Sequence, residues 1–438
     1  MSSAAVLVCG RTGLAADPPP GAILVDDLCD RPAAAAEALR RSGATRAVLG
    51  LCERGPSSDL LAALRRAGSE PFGVEAVALD GRPPAEAATL LAAAAAKLAA
   101  LRAGERGRPA LNGGAFSRRT LLSPGGAVTQ APVAILDEGA CLGSARCGLC
   151  LARCPAKAIA PGRTAPAVDA SACTACGLCV PVCPTGALRI AGASLAQVEA
   201  QLERLASGFD GVVLACAAAG ADAPPGRALV ELPTLAIVTL GWLLQLRARG
   251  LAVTFAPCDG PCCAGVPALE ELAARLDAPA PRTEPLRLAE PAATIAALRV
   301  PGSAAGIASE AAPLGLVRLD DERCSLCGAC AVACPTAAFR LEETPGETVL
   351  HFSADACTGC GRCAAACPED ALSVERGLDL ARLGRGPVAL ARDRRERCSG
   401  CGADLPPRQM RRRLRELLPE YAAAPIELCA GCAARSTI

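Results

Sequence analysis

Residues 324–335, CSLCGACAVACP, and residues 357–368, CTGCGRCAAACP, decide how this chain is read. Each spaces its cysteines as C-x2-C-x2-C-x3-C-P, giving Cys324, Cys327, Cys330 and Cys334 in one run and Cys357, Cys360, Cys363 and Cys367 in the next. A compact loop with this spacing turns several sulfurs inward: three thiolates wrap one 4Fe-4S cubane, and the fourth reaches the partner cluster. The crossed rule therefore groups Cys324, Cys327, Cys330 and Cys367, and separately Cys357, Cys360, Cys363 and Cys334. Small residues such as Gly328, Gly359 and Gly361 let backbone N–H groups approach the cluster sulfides. Proline after the fourth cysteine fixes φ and turns the chain away.

The pattern is an internal repeat. Residues 173–184, CTACGLCVPVCP, match it without deviation, while residues 141–155, CLGSARCGLCLARCP, place five residues, LGSAR, between Cys141 and Cys147 where two are usual. Crossing here gives Cys141, Cys147, Cys150 and Cys183 to one cluster and Cys173, Cys176, Cys179 and Cys154 to its neighbour. The longer loop leaves three outcomes open: a retained cubane, a three-iron cluster, or an altered potential. Zinc held by four cysteines is the competing reading, but it uses two separated pairs rather than four cysteines in one run. A Rieske centre needs two histidine ligands, and His351 is the only histidine in the chain. That residue falls between the two runs of the second module, on an expected strand, with a structural role.

Both modules resemble the bacterial two-cluster ferredoxins, across roughly residues 132–192 and 315–376. The resemblance implies a small pseudo-symmetric α+β fold, which short strands such as Val317–Leu319 and Ala371–Val374 suit.

The whole chain of 438 residues exceeds the usual size of one hydrophobic core, so several domains are expected. Lys+Arg at 45 against Asp+Glu at 44 leaves no field to attract nucleic acid or anionic lipid. The opening segment, MSSAAVLVCG, lacks a basic region, and the most apolar stretch, near Leu232–Leu246, is shorter than the ~20 residues of a spanning helix. A cytoplasmic protein without a membrane span is expected. In a reducing compartment, 27 cysteines point to metal ligation rather than disulfides.

Outside the modules, residues 1–101 alternate strands (Ala4–Cys9, Ala22–Val25, Arg46–Leu51) with helices (Pro32–Ser42, Ser58–Ala67), an order that indicates a small α/β domain. The segment GATRAVLGLCERGPSSDLLAALRRAGSEPFGVEAVAL resembles the N-terminal portion of HdrA, the flavin and iron-sulfur subunit of heterodisulfide reductases. No G-x-G-x-x-G fingerprint for flavin is present. Cys9, Cys29 and Cys52 read as buried structural thiols or as remnants of ligand positions. Residues 193–280 alternate strand and helix signals and resemble the MvhD-type iron-sulfur subunit of the methanogen-type hydrogenases that partner heterodisulfide reductase. That resemblance implies a 2Fe-2S cluster on Cys216, Cys258, Cys262 and Cys263, although Pro233-Thr234 stand where a ligand cysteine is expected. In the tail, residues 397–438, the C-x2-C pairs Cys398/Cys401 and Cys429/Cys432 match a closed structural zinc site resembling a ribbon, with a rubredoxin-like iron site or no metal as the alternatives. Between these pairs the basic segment Gln409–Leu418 reads as a solvated helix face, and Ala85–Ala103 reads as a helix because alanine favours it. Residues 102–131, 281–314 and 377–396 are expected to be linkers.

The expected architecture is multidomain, α/β plus α+β: two dicluster ferredoxin domains (132–192 and 315–376), two small α/β domains and a zinc-ribbon-like tail. No catalytic residues emerge, and the near absence of histidine removes the commonest general base. The expected function is electron transfer through four 4Fe-4S clusters within a larger oxidoreductase, beside flavoprotein, hydrogenase, formate dehydrogenase or heterodisulfide reductase subunits. Two alternatives stand beside it: a thiol/disulfide enzyme subunit using the middle-domain cysteines, and a redox-sensing iron-sulfur scaffold.

Overall fold

Continuous apolar runs too short for helices order the N-terminal region, because strands buried on both faces of a parallel sheet need no polar alternation. The computed structural model describes residues 4–52, 56–103, 105, 107–111, 128–276, 286, 306–417 and 428–436. Strands β1 (Ala5–Cys9), β2 (Ile23–Val25), β3 (Ala47–Leu51) and β4 (Val74–Ala78) form one parallel sheet in the order β2-β1-β3-β4. Helix α1 (Pro32–Ser42) starts on proline and stops at Gly43, whose φ of 67° suits a residue without Cβ. Ser57 caps α2 (Ser58–Arg66) by accepting the Leu60 N–H at 3.2 Å. These two helices and the sheet enclose Leu7, Leu28, Leu39, Leu49, Leu60 and Leu64, each fully buried and each worth about 2 kcal/mol of apolar transfer. Helix α3 (Pro84–Ala99) covers the opposite face of the sheet with Leu91 and Leu98.

The expected linker 102–131 is partly structured: β5 (Arg108–Leu111) pairs antiparallel with β6 (Val128–Ala131), and residues 112–127 lie outside the described ones. Buried Glu105, in the same stretch, accepts the Gly192 N–H at 2.6 Å and pairs with Arg189 at 3.4 Å. The first module then begins with β7 (Ala134–Leu136), which pairs antiparallel with β10 (Leu188–Ile190) after the second cysteine run. Helix α4 (Leu149–Arg153) lies within the first run, and a short hairpin, β8 (Ile159–Ala160) with β9 (Ala167–Val168), separates the two.

Ser194 and Gln197 form a capping box that starts α5 (Leu195–Leu205). Three parallel strands follow, β11 (Gly211–Cys216), β12 (Arg227–Leu232) and β13 (Ala252–Ala256), ordered β12-β11-β13, with α6 (Leu240–Ala248) crossing over. Every residue of central β11 is buried. Helix α5 packs on α3, and the Arg82 guanidinium donates to the carbonyls of Ala223 and Arg227, which fastens this domain to the first.

The chain divides into two units, the second holding the other module and the tail. Here β14 (Ile307–Ala308) and β15 (Gly315–Leu319) both pair antiparallel with β18 (Leu372–Leu378). Helix α7 (Ala329–Ala333) lies within the first run of this module, and α8 (Arg362–Ala365) within the second. The hairpin β16 (Phe339–Thr344) and β17 (Glu347–Phe352) lies between the runs. Stretch 377–396, expected to be a linker, instead supplies strand β19 (Val388–Arg394), which pairs antiparallel with β17. Its charges hid the strand because alternate side chains of an edge strand face water. His351 sits on β17, with Nε2 3.2 Å from the Glu342 carboxylate. Within the expected linker 281–314, residues 281–285 and 287–305 lie outside the described ones. In the tail are α9 (Arg408–Leu417) and α10 (Ala430–Ser436), and residues 418–427 between them lie outside the described residues as well.

Candidate metal centres

Each cysteine run is shaped by the same backbone turns. Two residues after the first cysteine the chain enters the left-handed region, at Gly143, Ala175, Leu326 and Gly359, and it does so again three residues after the fourth, at Lys157, Gly186, Ala337 and Asp370. Five of these eight positions hold a side chain despite a conformation that costs about 1–2 kcal/mol. A third left-handed residue, two before the third cysteine, is glycine in all four runs: Gly148, Gly177, Gly328 and Gly361. The first run keeps all three turns, so its extra residues are absorbed between Gly143 and Cys147, where the Cys147 N–H returns to the Gly143 carbonyl at 3.0 Å.

These turns bring together sulfurs from different runs. Cys324, Cys327, Cys330 and Cys367 line one small cavity, walled by Leu319, Leu350 and Leu372. In the first module Cys154, Cys173, Cys176 and Cys179, the counterparts of the other set, line a similar small cavity. Cys150 lies near Cys147, Cys183 and Cys141, and Cys363 lies near Cys357, Cys360 and Cys334. In every set the fourth cysteine comes from the other run. Burial pushes the thiol of Cys150 up to about 11 and those of Cys179 and Cys363 up to about 12, with neighbouring cysteines adding to the rise. Such thiols ionise only beside a compensating positive charge, which an iron cluster supplies. Backbone N–H groups already point at the sulfurs, from Ala158 to Cys154 at 3.3 Å, Ala338 to Cys334 at 3.2 Å and Ala371 to Cys367 at 3.4 Å. The donor set fits 4Fe-4S cubanes: four converging thiols, apolar walls and amide donors to sulfur.

A different spacing appears in the three remaining groups. Cys216, Cys258, Cys262 and Cys263 have all four Sγ atoms within 4.8 Å of one another, as do Cys398, Cys401, Cys429 and Cys432. In the middle domain, Cys216 ends β11, while Cys258 and the Cys262-Cys263 pair lie in the turns after β13, so all project beyond the carboxyl ends of parallel strands. The Gly260 N–H and the neighbouring thiols hold Cys258 down to about 7. Thr234, fully buried after β12, donates its hydroxyl to the Cys176 carbonyl at 3.0 Å, with the Cys262 carbonyl 3.5 Å away.

In the tail, Cys398 opens a tight turn in which Gly402, at φ 74°, returns its N–H to the Cys398 carbonyl at 2.8 Å. The Cys429 N–H donates to the Cys398 sulfur at 3.1 Å, and this and further amides hold that thiol down to about 6. The basic helix α9 is not simply solvated: Arg413 pairs with Glu369 at 2.7 Å, and Arg412 donates to the Glu322 carbonyl at 2.6 Å. Its acidic partner is thus the adjacent cysteine module, and Glu369 itself borders the Cys324 cavity.

Cys9, Cys29 and Cys52, read from sequence as buried structural thiols or remnants of ligand positions, meet: Cys29 Sγ lies 3.3 Å and Cys9 Sγ 3.6 Å from Cys52 Sγ. Burial and the other two thiols push Cys52 up to about 12. The available signal was topological, since each follows or ends one of three adjacent parallel strands.

No curated protein matches the chain. Three segments match iron-sulfur families: residues 323–371 a 4Fe-4S dicluster domain, residues 349–403 another 4Fe-4S dicluster domain, and residues 166–189 a 4Fe-4S binding domain. The first spans both runs of the second module, whereas Cys141–Cys154, the run with the longer loop, lies outside all three. The second reaches Cys398 and Cys401, yet these lie with Cys429 and Cys432 rather than in a four-cysteine run. Among the described residues no helix is long and apolar enough to cross a membrane. Cysteine geometry and family matches agree that the chain carries ferredoxin-type 4Fe-4S domains.

Proposed function

We propose that this protein is an electron-transfer subunit that holds four 4Fe-4S clusters, two in each ferredoxin module, and works beside redox partners in a larger oxidoreductase. The crossed grouping of cysteines carries this reading: each module gathers two sets of four thiols, and adjacent clusters in so small a fold exchange single electrons. The potentials would follow net charge, amide donors to sulfur and exposure, which differ between the sets. The zinc site of the tail would pin α9 against the second module. Heterodisulfide reductase and hydrogenase assemblies are the proposed setting, on the strength of the resemblances of the flanking domains, with flavin or nickel chemistry on partner subunits.

Iron, acid-labile sulfide and zinc analysis of anaerobically purified full-length protein tests the reading, together with EPR after dithionite reduction. Four cubanes predict about 16 iron and about 16 sulfide per chain, with coupled S = 1/2 signals within each module. Several zinc ions with little iron would overturn it.

A further inference from the structure

The middle domain departs from the cluster its resemblance implies. We propose that Cys216, Cys258, Cys262 and Cys263 bind one tetrahedrally coordinated metal ion, zinc or iron, and not a 2Fe-2S cluster. A single ion with metal–sulfur bonds of about 2.3 Å sets its four thiolates about 3.8 Å apart. A two-iron cluster divides the thiolates into two pairs, and sulfurs on opposite irons stand apart by the additional iron–iron separation. Here no such division exists. Cys258 lies 3.4 Å from Cys262 and 3.5 Å from Cys263, those two are 3.8 Å apart, and Cys216 is within 4.8 Å of all three.

The ferredoxin modules of the same chain provide an internal control. Among the described residues, no three of their cysteines form a group this tight, as expected for thiols held apart by the body of a cubane. Tight grouping is therefore specific to particular sites: it recurs among the three thiols Cys9, Cys29 and Cys52, and with four thiols at the tail, whose separated pairs suit a single ion independently.

Thr234 supplies the second observation. It occupies the place where the two-iron reading expects a ligand cysteine, and it is fully buried with its hydroxyl committed to the Cys176 carbonyl and its oxygen accepting the Ala236 N–H at 3.1 Å. The added Cβ of a residue at Gly177 would lie 2.5 Å from the Thr234 methyl, so the two loops are in direct contact. This position therefore serves to seat the Cys173–Cys179 loop on the middle domain, and the ligands are completed instead by the adjacent Cys262-Cys263 pair.

The inference is independent of the cluster count in the modules, and its test separates the two. Full-length protein and its Cys262→Ser and Cys258→Ser variants are purified anaerobically, and zinc, iron and acid-labile sulfide are measured per chain. The expected result is loss of one metal ion with sulfide unchanged, the identity of that ion deciding between zinc and iron. Loss of two iron together with two sulfide would establish a two-iron cluster and overturn the proposal, as would unchanged metal content, which would leave four free thiols. Should neither variant fold, Mössbauer and X-ray absorption spectra of the unmodified chain decide the same question. A zinc in excess of the tail site with an all-sulfur shell, or a mononuclear tetrathiolate iron component, supports one ion. A two-iron component, or zinc limited to one per chain without mononuclear iron, overturns it.

Discussion

Between its cysteine runs the first module has strands of two residues each, Ile159–Ala160 and Ala167–Val168, whereas the second has strands of six, Phe339–Thr344 and Glu347–Phe352, extended by Val388–Arg394. The left-handed turns around the cysteines are nevertheless the same in both. Cluster-binding loops are thus fixed by local backbone demands, while the hairpin joining them varies with what it must carry. In the second module it carries a third strand leading to the tail, and α9 returns to contact the module at Glu322 and Glu369. The first module is anchored from its N-terminal side by Glu105, and the second by Arg376, which donates to the Ala312 carbonyl at 2.7 and 3.0 Å.

The largest expected effect tests whether both modules cross their ligands. Cys330→Ser and Cys367→Ser should each perturb the same cluster and yield matching EPR spectra, distinct from the shared spectrum of Cys363→Ser and Cys334→Ser. In the first module, Cys150→Ser should match Cys183→Ser in the same way. If Cys183→Ser instead resembles Cys179→Ser, the longer loop has broken the symmetry between the modules.

Next in size are the anchors. Glu105→Ala removes a buried carboxylate and leaves Arg189 without its partner, which should cost about 3 kcal/mol. Arg376→Ala forfeits hydrogen bonds to one carbonyl and should cost about 1–2 kcal/mol. Chemical denaturation of the full chain, monitored at cluster absorbance, ranks the two, and equal losses would mean that the anchors are equivalent.

The smallest effects probe the turns themselves. Gly186, with φ 64° and open space around its Cα, should lose about 1 kcal/mol on replacement by alanine, for purely conformational reasons. Ala337, at the matching position of the second module with φ 53°, should gain well under 1 kcal/mol on replacement by glycine, because relief of strain is offset by the entropy of the unfolded chain. Thermal midpoints measured side by side should move in opposite directions; shifts of the same sign would show that the two turns are not equivalent.

Spacing alone pointed to the ferredoxin modules, since three ligands of each set lie within a few residues of one another and depend on local turns that sequence encodes directly. Alternation of apolar runs and capped helices likewise determined β1, β2 and β3, whose ends shift by one residue at most, but not β4 (Val74–Ala78), which the sequence analysis did not mark as a strand. Tertiary structure decided what depends on distant segments meeting. Val388–Arg394 is a strand because β17 offers an edge, and α9 has an acidic partner because the chain folds back onto its own module. Cys9, Cys29 and Cys52 are neighbours because parallel pairing aligns the carboxyl ends of their strands, and the four thiols of the middle domain crowd one point for the same reason. Local composition carries no record of such proximity, because it arises from sheet order and crossover, which long-range burial selects.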